Sequence, residues 1–285
     1  MAKVIGGIFT SHVPAIGGAI AKGLQDDPYW KPFFDGFHPI HAWLKDNRPD
    51  YVVTFSNDHG LNFFLDKMPT FAVGAAAQYD NADEGWGLPL FNSVPGSPEL
   101  SWHIINTLVE EEFDIVTCQE MLIDHALSIP LELAWPNRRS YDFKLVPVGI
   151  NTVQHPLPSP KRALALGRAV HKAIESWPED AKVLIFGTGG LSHQLDGERA
   201  GFMNPDYDRF CLDNLPSNPD ALTQHSALDI VELSGSQGIE ILNWIAARGA
   251  MGDGVREASR NYHIPISNTA AATVLMVPED ALVSA

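Results

Sequence analysis

The sequence predicts an α/β protein with a mixed, mostly parallel central sheet flanked by helices. Three observations predict it. Short apolar runs alternate with longer amphipathic stretches along the whole chain. Two of the amphipathic stretches open on Ser-Pro, a cap followed by a residue suited to the first helical turn. Three of the apolar runs lead straight to a histidine, as expected where strand ends share one edge of a sheet.

The elements follow in order. Apolar runs at 3–9, 51–56, 70–76, 113–118, 143–150, 182–187 and 272–277 are bounded by polar residues, Gly or Pro and are expected to be strands. A helix is expected over 97–111, with Ser97 as cap and Pro98 in the first turn. A second is expected over 159–176, where Ala163, Leu166, Val170 and Ile174 form one stripe. A third is expected over 236–248, where Ile239, Leu242 and Ile245 sit three apart. Segment 80–98, DNADEGWGLPLFNSVPGSP, is a long Gly- and Pro-rich loop, either a lid or a solvated surface loop. No repeat, low-complexity block or linker interrupts the sequence, so residues 1–285 are expected to form a single catalytic domain.

Composition narrows the function. With 35 acidic against 19 basic residues the formal charge is −16, which repels a phosphate backbone and argues against nucleic acid as a partner. No apolar run reaches the roughly 18 residues that would suggest a membrane span. The start MAKVIGGIF has no signal-peptide cleavage pattern, so the cytoplasm is the expected compartment. Cys118 and Cys211, the two cysteines, are expected to be buried thiols.

The chemistry-bearing residues concentrate at the strand ends. VIGGIFTSH ends on His12, VVTFSNDHG reaches His59, and VLIFGTGGLSH passes a glycine turn to His193. Two imidazoles and one carboxylate make a site for metals that activate oxygen or water. Glu240, set among Ile239, Ile241, Leu242 and Trp244, is the carboxylate that stands out. A carboxylate on an apolar face needs a partner, although an amphipathic helix that turns Glu240 to solvent fits the same spacing. His193 need not be a ligand, since an imidazole can move protons near neutral pH. His125 in LIDHALSIP is a further candidate, with Asp124 placed to orient its ring, as Asp58 is beside His59. Both aspartates are equally suited to capping a helix or turn. Ser267, Asn268 and Thr269 cluster polar groups that could hold a carboxylate or close a turn. No GxSxG, HExxH, CxxC or phosphate-loop motif is present.

The pieces TSHVPAIG (10–17), SNDHG (56–60), PTFAVG (69–74), ADEGWG (82–87), DHALSIP (124–130), GTGGLSHQLDGERAGFMNP (187–205), SGSQGIEILNW (234–244), RGA (248–250) and YHIPISNTA (262–270) occur in one order across nearly the whole chain. Together they resemble the class III (type II) extradiol ring-cleaving dioxygenases, and within them the catalytic β subunits of the protocatechuate 4,5-cleaving type. The resemblance implies that His12, His59 and Glu240 hold a non-haem Fe(II). It implies that His193 is the acid/base, that His125 is a second histidine near the substrate, and that Ser267 and Asn268 receive a ring carboxylate. The implied reaction is O2-dependent cleavage of a carboxylated catechol beside its diol, protocatechuate first and gallate or 3-O-methylgallate as alternatives, within aromatic catabolism. A small α subunit is the implied partner, in an assembly of two αβ pairs, because the chain stops at Ala285 without the extra C-terminal region that gallate enzymes carry. Ala126 departs from the glycine usual after the second histidine. Outside the resemblance, a Zn2+-dependent hydrolase using the same His/His/Glu set and a non-catalytic α/β binding subunit are the competing expectations.

Overall fold

Strands buried on both faces should be apolar without alternation, and the YVVTFS segment is buried at every position. In the computed structural model, which describes residues 1–85, 92–137 and 140–281, this segment lies inside an eight-stranded sheet. The strands are β1 (Lys3–Thr10), β2 (Tyr51–Ser56), β3 (Phe71–Gly74), β4 (Gln78–Asn81), β5 (Val94–Pro95), β6 (Val116–Cys118), β7 (Leu122–Ile123), β8 (Lys144–Ile150), β9 (Lys182–Thr188), β10 (Val255–Ile266) and β11 (Thr269–Pro278). The helices are α1 (Pro14–Ala21), α2 (Lys31–Phe34), α3 (His38–Asp46), α4 (Pro98–Glu110), α5 (His125–Ala134), α6 (Pro160–Ser176), α7 (Pro205–Asn214), α8 (Ala227–Ser234) and α9 (Ile241–Ala250).

The large sheet runs β10-β11-β1-β9-β2-β8-β3-β6. Its centre, β1-β9-β2-β8, is parallel. β11 and β10 add an antiparallel edge on one side, and β3 joins β8 antiparallel on the other. Successive side chains of the central strands go to opposite faces. Phe9, Val53 and Ile185 pack into one core with α4, α6 and α9, while Ile8, Val52 and Leu184 pack into the other with α3 and α5. A small sheet of β5, β4 and β7 lies apart.

Most sequence expectations hold within a residue or two. Ser97 and Ser159 cap α4 and α6 by accepting from Leu100 N and Arg162 N. Each such cap is worth about 1 kcal/mol. The third helix begins later than expected, at Ile241, after a short 3-10 turn Gly238–Glu240. β10 is the strand the sequence hides. VREASRNYHIPI carries too many polar residues to stand out, because it is an edge strand whose exposed side is polar and whose partner is β11. Segment 80–98 is not one loop, since it contains the end of β4, all of β5 and the capped start of α4. Its residues 86–91 lie outside the described residues. Cys118 and Cys211 are buried and free. Among the described residues no helix is long and apolar enough to cross a membrane.

Candidate active site

β1, β9 and β2 are adjacent and parallel, so their C-terminal ends open on one edge. His12, His193 and His59 follow those three ends, and all three line a single cavity of about 480 Å3. Glu240 reaches the same cavity from the 3-10 turn ahead of α9. Its Oε1 lies 3.4 Å from His12 Nε2 and 3.6 Å from His59 Nε2. Glu240 is 6% exposed, so it faces the cavity's imidazoles and not solvent.

The carboxylate is placed by its surroundings. Gly190 N donates to Oε2 at 2.9 Å and Asn57 Nδ2 donates to Oε1 at 3.3 Å. Asn57 is itself held by Asn243 Nδ2, which also donates to Thr188 O. Gly189 has φ +109°, and a Cβ there would sit 2.8 Å from Glu240 Cβ, so only glycine lets this turn approach the carboxylate.

Each histidine is fixed at Nδ1 by a different partner. His59 Nδ1–H donates to Asp124 Oδ2 at 3.0 Å, and the His59 backbone N–H donates to the same oxygen at 2.9 Å. His125 Nδ1–H donates to Glu84 Oε2 at 2.6 Å, and its backbone N–H donates to Glu84 Oε1 at 2.7 Å. His193 Nδ1 sits 2.8 Å from Leu191 O. A carbonyl can only accept, so Nδ1 carries the proton and Nε2 keeps the lone pair. His12 Nδ1 meets Thr188 Oγ1 at 3.2 Å. These contacts leave Nε2 of His12 and His59 on the Glu240 side.

Neither aspartate orients the histidine beside it in sequence. Asp58 does not orient His59. Its oxygens accept from the backbone N–H groups of Gly60, Leu61, Asn62 and Phe63 and close that turn, since a side chain can bond its own local backbone more readily than the ring next to it. Asp124 orients His59, not the adjacent His125, and with its other oxygen caps α5 by accepting from Ala126 N. Glu84 was not singled out by sequence. The only signal for it is its position in ADEGWG, a motif whose acidic residues carry no spacing that identifies a partner. Ser267 and Asn268 are exposed on the β10–β11 turn, where Ser267 N donates to Tyr29 Oη at 2.9 Å. They are not among the cavity-lining residues, whereas the neighbouring Thr269 is.

The electrostatics follow from burial and pairing. Burial pulls the His59 imidazole down, but Asp124 and Glu240 outweigh it and raise its pKa to about 10. Burial pushes the Glu240 carboxyl up, and His12, His59 and His193 more than reverse this, holding it well below the usual carboxylate range. Asp124 is likewise held low, against burial, first by His59 and then by His125. Burial and then the neighbouring His59 charge lower His125.

The donor set suits a divalent metal. His12 Nε2 is buried without a hydrogen-bond partner, although it faces a carboxylate oxygen. His12, His59 and His125 offer ligand atoms within 4.8 Å of one another. The His125 ring packs against His59 at a tilt of 33°, with centroids 4.0 Å apart. Two imidazoles and a carboxylate converge on one face that could hold a metal, and His125 and His193 flank it.

The family profile described as "Catalytic LigB subunit of aromatic ring-opening dioxygenase" matches residues 6–274. A gallate dioxygenase from Pseudomonas putida is 37% identical over 199 residues, covering 70% of this chain and 58% of that protein. A 2,3-dihydroxyphenylpropionate/2,3-dihydroxicinnamic acid 1,2-dioxygenase from Photorhabdus laumondii is 33% identical over 202 residues, covering 70% of this chain and 59% of that protein. The chain thus spans less than two thirds of the length of these two relatives. An uncharacterized protein of Escherichia coli K12 has the same fold, with a TM-score of 0.60 over 95% of this chain and 99% of that one, at 14% identity.

Proposed function

The chain belongs to the LigB family of aromatic ring-opening dioxygenase catalytic subunits, and from that premise we propose that it cleaves a carboxylated catechol beside its diol, using O2 and Fe(II). His12, His59 and Glu240 would hold the metal. The observation that carries the proposal is their convergence: two imidazoles from the ends of parallel strands β1 and β2, which flank β9, meet one buried carboxylate at 3.4 and 3.6 Å. When bound, Fe(II) supplies Lewis acidity toward the diol and a route for ring electrons to reach O2.

The chain's own residues do the rest. His193 Nε2 carries the lone pair, lines the cavity and lies 4.0 Å from Glu240 Oε2. It takes a diol proton as the substrate binds and returns it as the O–O bond breaks. His125, tied to Glu84 through Nδ1, keeps its lone pair on Nε2 and accepts a hydrogen bond from a substrate hydroxyl. The substrate ring supplies the electrons, both atoms of O2 enter the ring-opened semialdehyde, and no external reductant is needed. Protocatechuate, opened at its 4,5 bond to 4-carboxy-2-hydroxymuconate semialdehyde, is the first substrate to test. The similarity to a gallate dioxygenase favours gallate as the second. Thr269 lines the cavity beside the exposed Ser267 and Asn268, so a small second subunit seated over that turn would complete the grip on the ring carboxylate.

The test is anaerobic loading with Fe(II) followed by O2 uptake with protocatechuate and with gallate. Uptake matched to a yellow semialdehyde product supports the proposal. An iron-loaded chain that consumes no O2 with either substrate, alone or with an added α subunit, sinks it.

A further inference from the structure

Asp208, on α7, is a buried carboxylate with no place in the chemistry above. It is 1% exposed. No Lys or Arg among the described residues forms an ion pair with it, and the adjacent Arg209 turns away to Asp206 at 3.0 Å. A buried charge without a cation is costly unless hydrogen bonds satisfy it. Here they do, and two of the three come from one residue. Ser192 N donates to Oδ1 at 2.8 Å and Ser192 Oγ donates to Oδ2 at 2.8 Å. Tyr262 Oη, from β10, donates to Oδ2 at 2.7 Å.

Ser192 lies between Leu191, whose carbonyl takes the His193 Nδ1 proton, and His193 itself. The backbone of this segment is also held on both flanks. Leu191 N donates to Ala270 O, Ala270 N donates to Ser192 O, and His193 N donates to Ser234 O. Gly235, at φ +90°, leaves room for His193 O, which a Cβ would approach to 2.2 Å. These backbone bonds set the path of the chain, but none of them grips the Ser192 side chain. Asp208 does, and Asn204 N completes the hydroxyl by donating to Ser192 Oγ at 2.7 Å.

We propose that Asp208 is a positioning residue for His193: through Ser192 it locks the 191–193 segment so that the Leu191 carbonyl captures Nδ1–H and Nε2 is left as the base facing the cavity. The proposal rests on the role given to His193 above. A carboxylate is required because three donors converge on it. An amide would present a donor to two hydroxyl groups that already donate toward that oxygen, and the segment would shift. A shift of the order of 1 Å at an acid/base costs about 100-fold in rate.

The experiment compares iron-loaded wild type, Asp208→Asn and Tyr262→Phe for iron content, anaerobic protocatechuate affinity and kcat. The His193 ring Nδ1–H signal is followed by NMR in the metal-free protein, assigned by its loss in His193→Phe. Asp208→Asn should keep iron content and substrate affinity within about 2-fold, lower kcat by about 10- to 100-fold, and broaden or shift the Nδ1–H signal. Tyr262→Phe, which keeps both Ser192 bonds, should change the same signal less and lower kcat by only about 3-fold. An Asp208→Asn protein with wild-type kcat and an unmoved ring signal overturns the proposal. So does one that loses iron, affinity and kcat together while the signal stays in place, because that is damage to the fold alone. If Asp208→Asn does not fold, Tyr262→Phe and Ser192→Ala decide by the same signal, and an unmoved signal in both overturns it. Full turnover in His193→Phe would instead remove the acid/base role, an outcome the NMR readout keeps separate.

Discussion

The two histidines that flank the proposed metal face are held in opposite ways. His125 begins α5 and is clamped by a carboxylate, with both its ring Nδ1 and its backbone N–H on Glu84. His193 lies on a glycine-flanked extended segment and is held at Nδ1 by a neutral carbonyl. A carboxylate behind an imidazole stabilises its charged form and fixes it as a donor, whereas a carbonyl fixes the tautomer without adding that charge. The His125 side is therefore built to stay put: Glu84 fixes its tautomer, while burial and the His59 charge disfavour its charged form. The His193 side is built to exchange a proton.

Substitutions can break this contrast, starting with the residue both sides share. Glu240→Ala should abolish iron retention and activity, while His125→Ala keeps the iron; elemental analysis after gel filtration decides, and iron retained in the first but lost in the second would make His125 the third ligand in place of Glu240. Next in size, His193→Phe should keep iron and lower kcat by about 100-fold or more, the scale of losing a general acid/base. Glu84→Gln should cost less, about 10-fold in kcat/KM, by weakening the hold on His125 without removing it; a loss as large as that of His193→Phe would erase the distinction between the two sides.

A fourth prediction concerns pH in the metal-free protein. His59 has its pKa raised to about 10 in the folded state by Asp124 and Glu240. A raised pKa contributes stability that is complete below the unfolded histidine value and is lost as pH rises through the folded one. The Tm difference between wild type and Asp124→Asn should accordingly be largest below about pH 6.5 and shrink toward pH 10. Metal at Nε2 takes the place of the proton, so loading with Zn2+ should flatten this dependence. A difference that grows with pH would contradict the pairing. The smallest effect is expected at the exposed turn: Ser267→Ala should raise KM about 2-fold for carboxylated catechols and leave plain catechol unchanged, as measured by steady-state O2 uptake.

The strands were legible because burial on both faces leaves a mark in the sequence. VVTFS and VLIFGT are largely apolar runs without alternation, and a histidine follows each within five residues. β10 was not legible, because an edge strand is allowed polar residues. The helix caps at Ser97 and Ser159 were legible because a cap bonds its own helix. The carboxylate partners were not, because Asp124 and Glu84 act on residues delivered by other elements, 65 and 41 positions away for the rings they hold.

The sequence by itself thus left the side of Glu240 open, and it determined the α/β class, the central strands and the three histidines that follow their ends. Each of these is written in local pattern, where periodicity and hydropathy act over a few residues. Tertiary structure alone decided that Asp58 closes a turn while Asp124 serves His59, that Glu84 serves His125, and that Asp208 grips the segment carrying His193. A hydrogen bond is set by distance and direction within about 3 Å, and which distant side chain meets that condition is fixed only when the sheet and its helices have packed.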